Sequence, residues 1–142
     1  MHRYRLALVR EEATQPFGVR VARPADLARI ATALLCDEPQ ELVLSLHLDA
    51  RRRLRGYQEV ARGGLEEAPV DLRVLFAGVL ATASPAFCLA HNHPSGSTEP
   101  SNADLALTER VRAAARLLGL ELVDHLVVGG RSWTSLRTLG GW

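Results

Sequence analysis

The sequence contains no lysine, so all seventeen of its Lys-plus-Arg residues are arginine. A chain without lysine cannot form a Schiff base through a side-chain amine. It also offers no lysine side chain for isopeptide attachment. The formal net charge is only +1, which gives no reason to expect a polyanionic partner. The composition therefore excludes one class of covalent catalysis and does not favour a nucleic-acid-binding protein.

Cysteine and long apolar runs are also scarce. The only cysteines are Cys36 and Cys88, which we expect as buried thiols in a reducing cytoplasm, with a disulfide between them as the alternative. No apolar run approaches membrane-spanning length. The apolar stretch after residues 1–5 is too short for a secretory signal. We therefore expect a cytoplasmic protein, and 142 residues suffice for one domain with a single core.

Hydrophobic periodicity predicts strands that alternate with helices. A helix is expected to start at Pro24 and end before Pro39, and another to run from Ser101 to a C-terminal cap at Gly119. A third is expected at 70–82. Strands are expected at 4–9, 41–48, 54–61, 86–90, 120–128 and 133–135, with a further extended piece at 19–21. The strands at 41–61 read as a hairpin. The pattern predicts an α/β fold, a mixed sheet with helices packed on its faces.

Two histidines follow the apolar run at 86–90, where a buried strand should end. His91 and His93 are two residues apart, so in an extended backbone they point to the same face. Asp104 lies in the first turn of the next predicted helix and can face back toward that strand end. Two imidazoles and one carboxylate at such a junction are typical of a Zn²⁺ site, and three protein ligands with an open position are typical of a catalytic one.

Each part of this pattern also has a purely structural interpretation. Ser101-x-x-Asp104 is typical of a helix N-terminus, with Ser101 as the N-cap and an acid favoured by the helix dipole. The Pro94-Ser95-Gly96 segment by itself indicates only a turn. The combination of His-x-His, seven residues and Ser-x-x-Asp at one strand end favours the metal site.

This spacing resembles the motif of the JAMM (MPN+) metalloproteases, and His91-Asn92-His93-Pro94-Ser95-Gly96 resembles its RadC branch. The resemblance covers about residues 24–140. It extends through the segments at 41–44, 46–49, 105–108, 117–120, 122–129 and 135–136. It implies a single MPN-type domain, a RadC-like JAB/MPN+ domain at 24–142. Residues 1–23 would form an N-terminal strand and loop extension.

The resemblance also implies a function and the residues that perform it. It implies a zinc-dependent metallopeptidase in which a metal-activated water attacks a peptide or isopeptide bond. His91, His93 and Asp104 would hold the metal, and Ser101 would stabilise the oxyanion. It assigns the general base to Glu41, at the start of the first strand of the domain, with Glu59 in the return strand as the competitor. A ubiquitin-like protein tail is one possible substrate.

Three other functions are alternatives to this one. A zinc deaminase needs His-x-Glu and Pro-Cys-x-x-Cys, which the sequence lacks. A metal-dependent nuclease, or a DNA-associated accessory protein, is suggested by the traditional DNA-repair label of RadC relatives. A non-catalytic binding module is disfavoured because all four motif positions are filled. Arginines 51, 52, 53 and 55 at the hairpin tip could bind phosphate, but a solvated turn explains them as well.

Overall fold

The computed structural model describes residues 1–5, 7–9, 11, 18–64, 69–140 and 142. In this part of the chain the strands form one five-stranded sheet in the order β2-β1-β3-β4-β5, so the predicted α/β architecture is confirmed. The elements, in chain order, are α1 (Pro24–Leu35), β1 (Leu42–Leu48), β2 (Leu54–Arg62), α2 (Leu72–Ala81), β3 (Ala86–Asn92), α3 (Asn102–Leu117), β4 (Glu121–Gly129), β5 (Ser132–Ser135) and α4 (Leu136–Gly140).

The sheet is mixed because one of its connections crosses over. β1 pairs antiparallel with both β2 and β3, and β4 pairs antiparallel with β5. β3 and β4 are parallel neighbours. Parallel neighbours need a long connection, and α3 supplies it. The predicted hairpin of β1 and β2 is confirmed.

Helices cover both faces of the sheet. One core cluster contains buried residues of α1 together with Leu44, Leu46 and other residues on that side of the sheet. The other contains residues of α2 and α3 together with Val43 and Leu89. Because both faces are covered, all seven residues of β1 and all seven of β3 are buried. Polar side chains in these two strands therefore need partners inside the protein.

A bulge in β4 decides which of its side chains faces α3. Phe87 of β3 pairs with Leu122, but Leu89 pairs with His125. The chain therefore advances by three residues along β4 where it advances by two along β3. The extra residue reverses the alternation of the strand. As a result, His125 and not Asp124 lies on the same face as Leu89.

Several sequence-based expectations differ from the structure. The predicted strand at 4–9 is wrong for residues 4, 5 and 7–9, which are not in a strand, while Leu6 lies outside the described residues. Tyr4, Leu8 and Val9 are exposed, and strand propensity without a packing surface is not sufficient for a strand. The extended piece at 19–21 does pair with the hairpin turn, through a bridge between Arg20 and Arg53.

Other differences concern the ends of elements. The third predicted helix begins two residues late, because the Asp71 side chain accepts the Arg73 N–H and caps it. The short helix α4 was not predicted. Gly63-Gly64 and Pro69 in the sequence predict a loop, and these three residues are in neither a helix nor a strand, while residues 65–68 lie outside the described residues. Cys88 is a buried thiol as expected, but Cys36 is exposed, so the expectation of burial is wrong for Cys36. Both are free thiols, so the alternative of a disulfide is wrong.

Of the helices in the described ranges, none combines the length and the apolar character needed to cross a membrane.

Candidate metal centre

The end of β3 and the start of β1 meet at one edge of the sheet. His91 pairs with Val43 in the antiparallel register of these strands. Glu41 directly precedes β1 and His93 directly follows β3, so this pairing brings both residues to the same end of the two strands. Glu41 thus reaches the histidines from fifty residues upstream through strand pairing alone. No local sequence pattern reports such a contact.

Four side chains converge at this edge, and all four were predicted to belong to the site. Each of Glu41, His91, His93 and Asp104 offers one ligand atom, and these atoms lie within 4.8 Å of one another. His91 Nε2 lies 3.0 Å from Asp104 Oδ1 and 3.1 Å from His93 Nε2. His93 Nε2 lies 3.1 Å from Asp104 Oδ2. The structure therefore brings the predicted cluster together.

The environment of Asp104 holds it in the charged form. Burial by itself raises the pKa of this carboxyl group, but the adjacent His91 imidazole and the hydrogen bond from the Ser101 backbone N–H together lower it by more. The net result is a pKa well below the usual range of an aspartic acid. A carboxylate that stays charged next to two imidazoles is a suitable ligand for a divalent cation.

A second observation also indicates that the ligand atoms of this cluster suit a metal ion. Asp104 Oδ1 is buried and, among the described residues, no donor makes a hydrogen bond to it, although His91 Nε2 is close by. The imidazole N–H direction therefore does not point at this oxygen. In a tetrahedral zinc site, ligand atoms at 2.0–2.1 Å from the metal lie about 3.3 Å from one another. The separations of 3.0 and 3.1 Å are close to that value.

Ser101 caps α3, as the structural interpretation of the motif predicts. Its hydroxyl oxygen accepts the backbone N–H of Asp104 at 3.1 Å, and Asp104 Oδ2 accepts the backbone N–H of Ser101 at 2.8 Å. This reciprocal pair orients the Asp104 carboxylate. As an acceptor in the cap, the Ser101 hydroxyl still has its proton to donate.

Asn92 holds the segment that carries Glu41, a role that the sequence analysis missed. Its Oδ1 accepts the backbone N–H of Leu42 at 2.7 Å. Its Nδ2 donates to the carbonyls of Glu38 and Gln40 at 3.1 and 2.9 Å. One buried amide thus ties the start of β1 to the end of β3. The only sequence signal was its place between the two histidines.

Two further polar residues lie behind the cluster and were also missed. His125 Nε2 lies 2.8 Å from His91 Nδ1, and His125 Nδ1 lies 2.7 Å from Thr108 Oγ1. The hydroxyl of Thr108 donates to the carbonyl of Asp104 at 2.7 Å. Burial lowers the pKa of His125 well below its usual range. His125 is therefore a neutral imidazole.

The loop from 93 to 101 lies close over the end of β4. The His93 N–H donates to the Val128 carbonyl at 2.8 Å. Gly96 has a φ of +85°, in the left-handed region that favours glycine. A Cβ at Gly129 would overlap the Gly96 carbonyl. Glycine at 129 therefore allows the loop to approach the sheet and to hold His93 in place.

The other predicted residues lie elsewhere. Glu59 is half exposed and forms an ion pair with Arg62 at 2.8 Å, so it is not part of the cluster. The hairpin arginines lie beyond Leu48, which pairs with Ala86 at the opposite end of β3 from His91. One of them, Arg52, forms an ion pair with Glu121.

Comparison with known proteins gives a consistent result. The sequence model of the RadC-like JAB domain family matches residues 21–141. A UPF0758 protein of Halorhodospira halophila is 44% identical over 123 residues, which are 87% of this chain and 55% of that protein. UPF0758 proteins of Acidithiobacillus ferrooxidans and Clostridium perfringens are 40% and 30% identical over 84% of this chain. The chain spans about half the length of these curated relatives.

Proposed function

The chain belongs to the RadC-like JAB domain family, and from that membership and the geometry of its cluster we propose that it is a zinc-dependent metallopeptidase. Family and cluster together support a metal-dependent hydrolase. The choice of zinc, and of a peptide or isopeptide bond in a protein substrate, is the further step that we propose. The observation that carries it is the convergence of Glu41, His91, His93 and Asp104 within 4.8 Å.

In this proposal His91, His93 and Asp104 hold the ion. Two imidazoles and one carboxylate are a ligand set that suits zinc. A zinc ion bound there would act as a Lewis acid and lower the pKa of a water molecule toward about 7. The buried position of His91 and Asp104 keeps their lone pairs away from bulk solvent.

Glu41 is the proposed general base. Its carboxylate belongs to the cluster, and the Asn92 side chain fixes the backbone on either side of it. Glu41 would accept a proton from the attacking water and return it to the leaving amine. Glu59 cannot play this role at the cluster, because both of its carboxylate oxygens accept hydrogen bonds from Arg62 on the half-exposed strand β2.

Ser101 is the proposed donor to the oxyanion. The capping geometry uses the lone pairs of its oxygen and leaves its proton free. A hydroxyl held in this way can donate to the oxygen that becomes negative when a carbonyl is attacked. Capping and oxyanion stabilisation are thus compatible in one side chain.

A nuclease is less well supported than a peptidase by the arrangement of charges. A nuclease that follows a phosphate backbone needs basic side chains beside its metal. The hairpin arginines lie at the other end of the sheet, beyond Leu48, and Glu99 lies in the loop between the ligands. We therefore propose a protein or peptide substrate, with a ubiquitin-like tail as one candidate.

The test compares two glutamates in the same hairpin. Glu41→Gln should lower turnover of fluorogenic peptide and isopeptide substrates by about 10²–10⁴-fold, because the amide cannot accept the proton. Its zinc content, measured by elemental analysis, should stay stoichiometric. Glu59→Gln is the matched control and should retain full turnover. Retained turnover in Glu41→Gln together with loss in Glu59→Gln would reverse the assignment.

A second set of experiments distinguishes two roles for Glu41, general base or fourth metal ligand. It also distinguishes a peptidase from a nuclease. If Glu41 were a ligand, Glu41→Ala would lose zinc as His91→Ala does. If the protein were a nuclease, wild-type protein with zinc would cut single- or double-stranded DNA, and both Asp104→Asn and Glu41→Gln would abolish the cutting. Either result would contradict the proposal.

A further inference from the structure

We propose that Thr108 and His125 are positioning residues that fix the tautomer of His91, so that its Nε2 carries a lone pair toward the metal site. This inference rests on the proposed function, because the positioning serves a metal ligand. Its evidence is a chain of hydrogen bonds within the protein itself, which does not depend on a bound ion. Neither residue belongs to the His-x-His…Ser-x-x-Asp motif. Each acts on a ligand without taking part in the cluster itself.

The chain of bonds has a direction because it ends on a carbonyl. Thr108 Oγ1 lies 2.7 Å from the Asp104 carbonyl oxygen and 2.7 Å from His125 Nδ1. A carbonyl can only accept, so the single hydroxyl proton must point to Asp104. The reverse choice would leave two acceptors 2.7 Å apart with no proton between them. The hydroxyl therefore accepts from His125, and His125 carries its proton on Nδ1.

The direction then passes through His125 to His91. His125 is fully buried, and an imidazole with a proton on Nδ1 is neutral only if its Nε2 is bare. That bare nitrogen lies 2.8 Å from His91 Nδ1. His91 must therefore donate from Nδ1, which in the neutral ring leaves Nε2 bare.

The result at the metal site follows from this sequence of bonds. His91 Nε2 faces Asp104 Oδ1 at 3.0 Å and His93 Nε2 at 3.1 Å. Asp104 Oδ1 has no hydrogen-bond donor among the described residues, so no hydrogen bond to this oxygen requires a proton on His91 Nε2. Because the chain ends on the backbone of Asp104, one set of bonds orients two of the three ligands. Partners of this kind typically change metal affinity by about 10–100-fold.

A second threonine–histidine pair in the same protein shows what is particular to this one. Thr82 Oγ1 lies 3.0 Å from Nδ1 of the buried His47 and also bonds carbonyls of its own helix. His47 Nε2, however, has no hydrogen-bond partner among the described residues. This pair ends in the core, so it transmits nothing to a ligand. It offers a matched control for every substitution in the first pair.

The first experiment reads the tautomers in metal-free wild-type protein by long-range ¹H–¹⁵N correlation of the imidazoles. We expect a proton on Nδ1 of both rings and a bare Nε2 on His125. A bare Nδ1 on His91 would overturn the inference directly. This readout needs neither zinc nor activity, and no variant has to fold. It remains decisive if the proposed peptidase function proves wrong.

The second experiment measures zinc affinity by competition with a chromogenic chelator. Thr108→Val should weaken zinc binding by about 10–100-fold, while Thr108→Ser, which keeps the hydroxyl, should restore it. His125→Gln, whose amide oxygen can replace the Nε2 acceptor, should bind more tightly than His125→Leu. Thr82→Val should leave the affinity unchanged.

Equal affinities in Thr108→Val and Thr82→Val would refute the positioning role. If wild-type protein bound no zinc at all, the proposed function would fail instead, and the tautomer measurement alone would decide this inference.

Discussion

The two ends of the sheet each bury an aspartate, and the difference between them shows what makes a buried carboxylate a candidate ligand. Asp124, at the start of β4, accepts the Ser135 hydroxyl at 2.8 Å and the backbone N–H groups of His125 and Arg137. Its oxygens are saturated by donors. Asp104, at the start of α3, keeps one oxygen without a donor among the described residues.

The pKa shifts of the two groups have opposite signs for the same reason. Burial raises the pKa of Asp124, and the hydrogen bonds from Ser135 and His125 only partly offset this rise. At Asp104 the neighbouring imidazoles outweigh burial and lower the pKa. Burial alone is thus no mark of a functional carboxylate. An unused lone pair among other ligand atoms distinguishes Asp104.

One cavity of the described chain lies away from the proposed metal site. A cleft of about 590 Å³ lies beside Asp124 at the opposite end of the sheet and is lined by four arginines, namely Arg20, Arg23, Arg52 and Arg137. Three of these are already engaged, by Asp26, by Glu121 and by the Val123 carbonyl. Two of the four arginines are thus paired with carboxylates at this end, whereas at the other end ligand atoms converge on one another.

The largest effects should come from replacing each of the two aspartates in a separate variant. Asp104→Asn should lower zinc affinity by more than about 100-fold, beyond the range for outer partners, because it removes a charged ligand. Asp124→Ala should instead lower the free energy of unfolding by roughly 1–3 kcal/mol, since buried donors lose their acceptor. Chelator competition and urea denaturation measure the two quantities. A stable, zinc-free Asp124→Ala protein would erase the proposed difference.

A smaller effect is expected where the ligand-bearing loop crosses β4. In Gly129→Ala the new Cβ would meet the Gly96 carbonyl, so the loop must move. Overpacking of this kind costs about 1–3 kcal/mol, and we expect weaker zinc binding as His93 shifts. Gly64→Ala is the control, because its Cβ would make only ordinary contact with Glu41. Unchanged zinc affinity in both variants would show that the close approach does not position His93.

The smallest effect concerns His47. It is not visible at neutral pH and develops only in acid. Burial lowers its pKa to about 4, with a further contribution from the charge of Arg55. A lowered histidine pKa means that the folded state favours the neutral ring. The contribution of His47 to the free energy of unfolding is therefore fully present above about pH 6.5 and is lost as the pH falls toward 4. The loss is at most about 1.4 kcal/mol per pH unit.

Replacing His47 by asparagine should flatten this part of the stability curve. The amide can keep the contact with Thr82 but does not titrate in this range. Thermal or urea denaturation of both proteins between pH 4 and 7 gives the difference, in which the titration of the carboxylates shared by both proteins cancels. Parallel curves for wild-type and His47→Asn would show that His47 does not titrate in this way.

Much of the fold could be predicted because its signals are local. The apolar spacing of residues 27–35 specifies α1, and alternation at 42–48 specifies β1, since these periods are those of the helix and the strand. The three proposed metal ligands could also be found, because His91, His93 and Asp104 lie within one strand-loop-helix unit. The strand at 4–9 was predicted wrongly because strand formation depends on a neighbour that propensity does not reveal.

The sequence by itself determined the elements and the short-range motif of this protein, since both depend on spacing along the chain. Only the tertiary structure decided that Glu41 lies beside the two histidines and Asp104, because that contact depends on the register between β1 and β3. It also decided that His125 reaches His91, because one extra residue in β4 turns this side chain toward α3. A one-residue shift in register moves every side chain to the other face, and no pattern within a single strand specifies it.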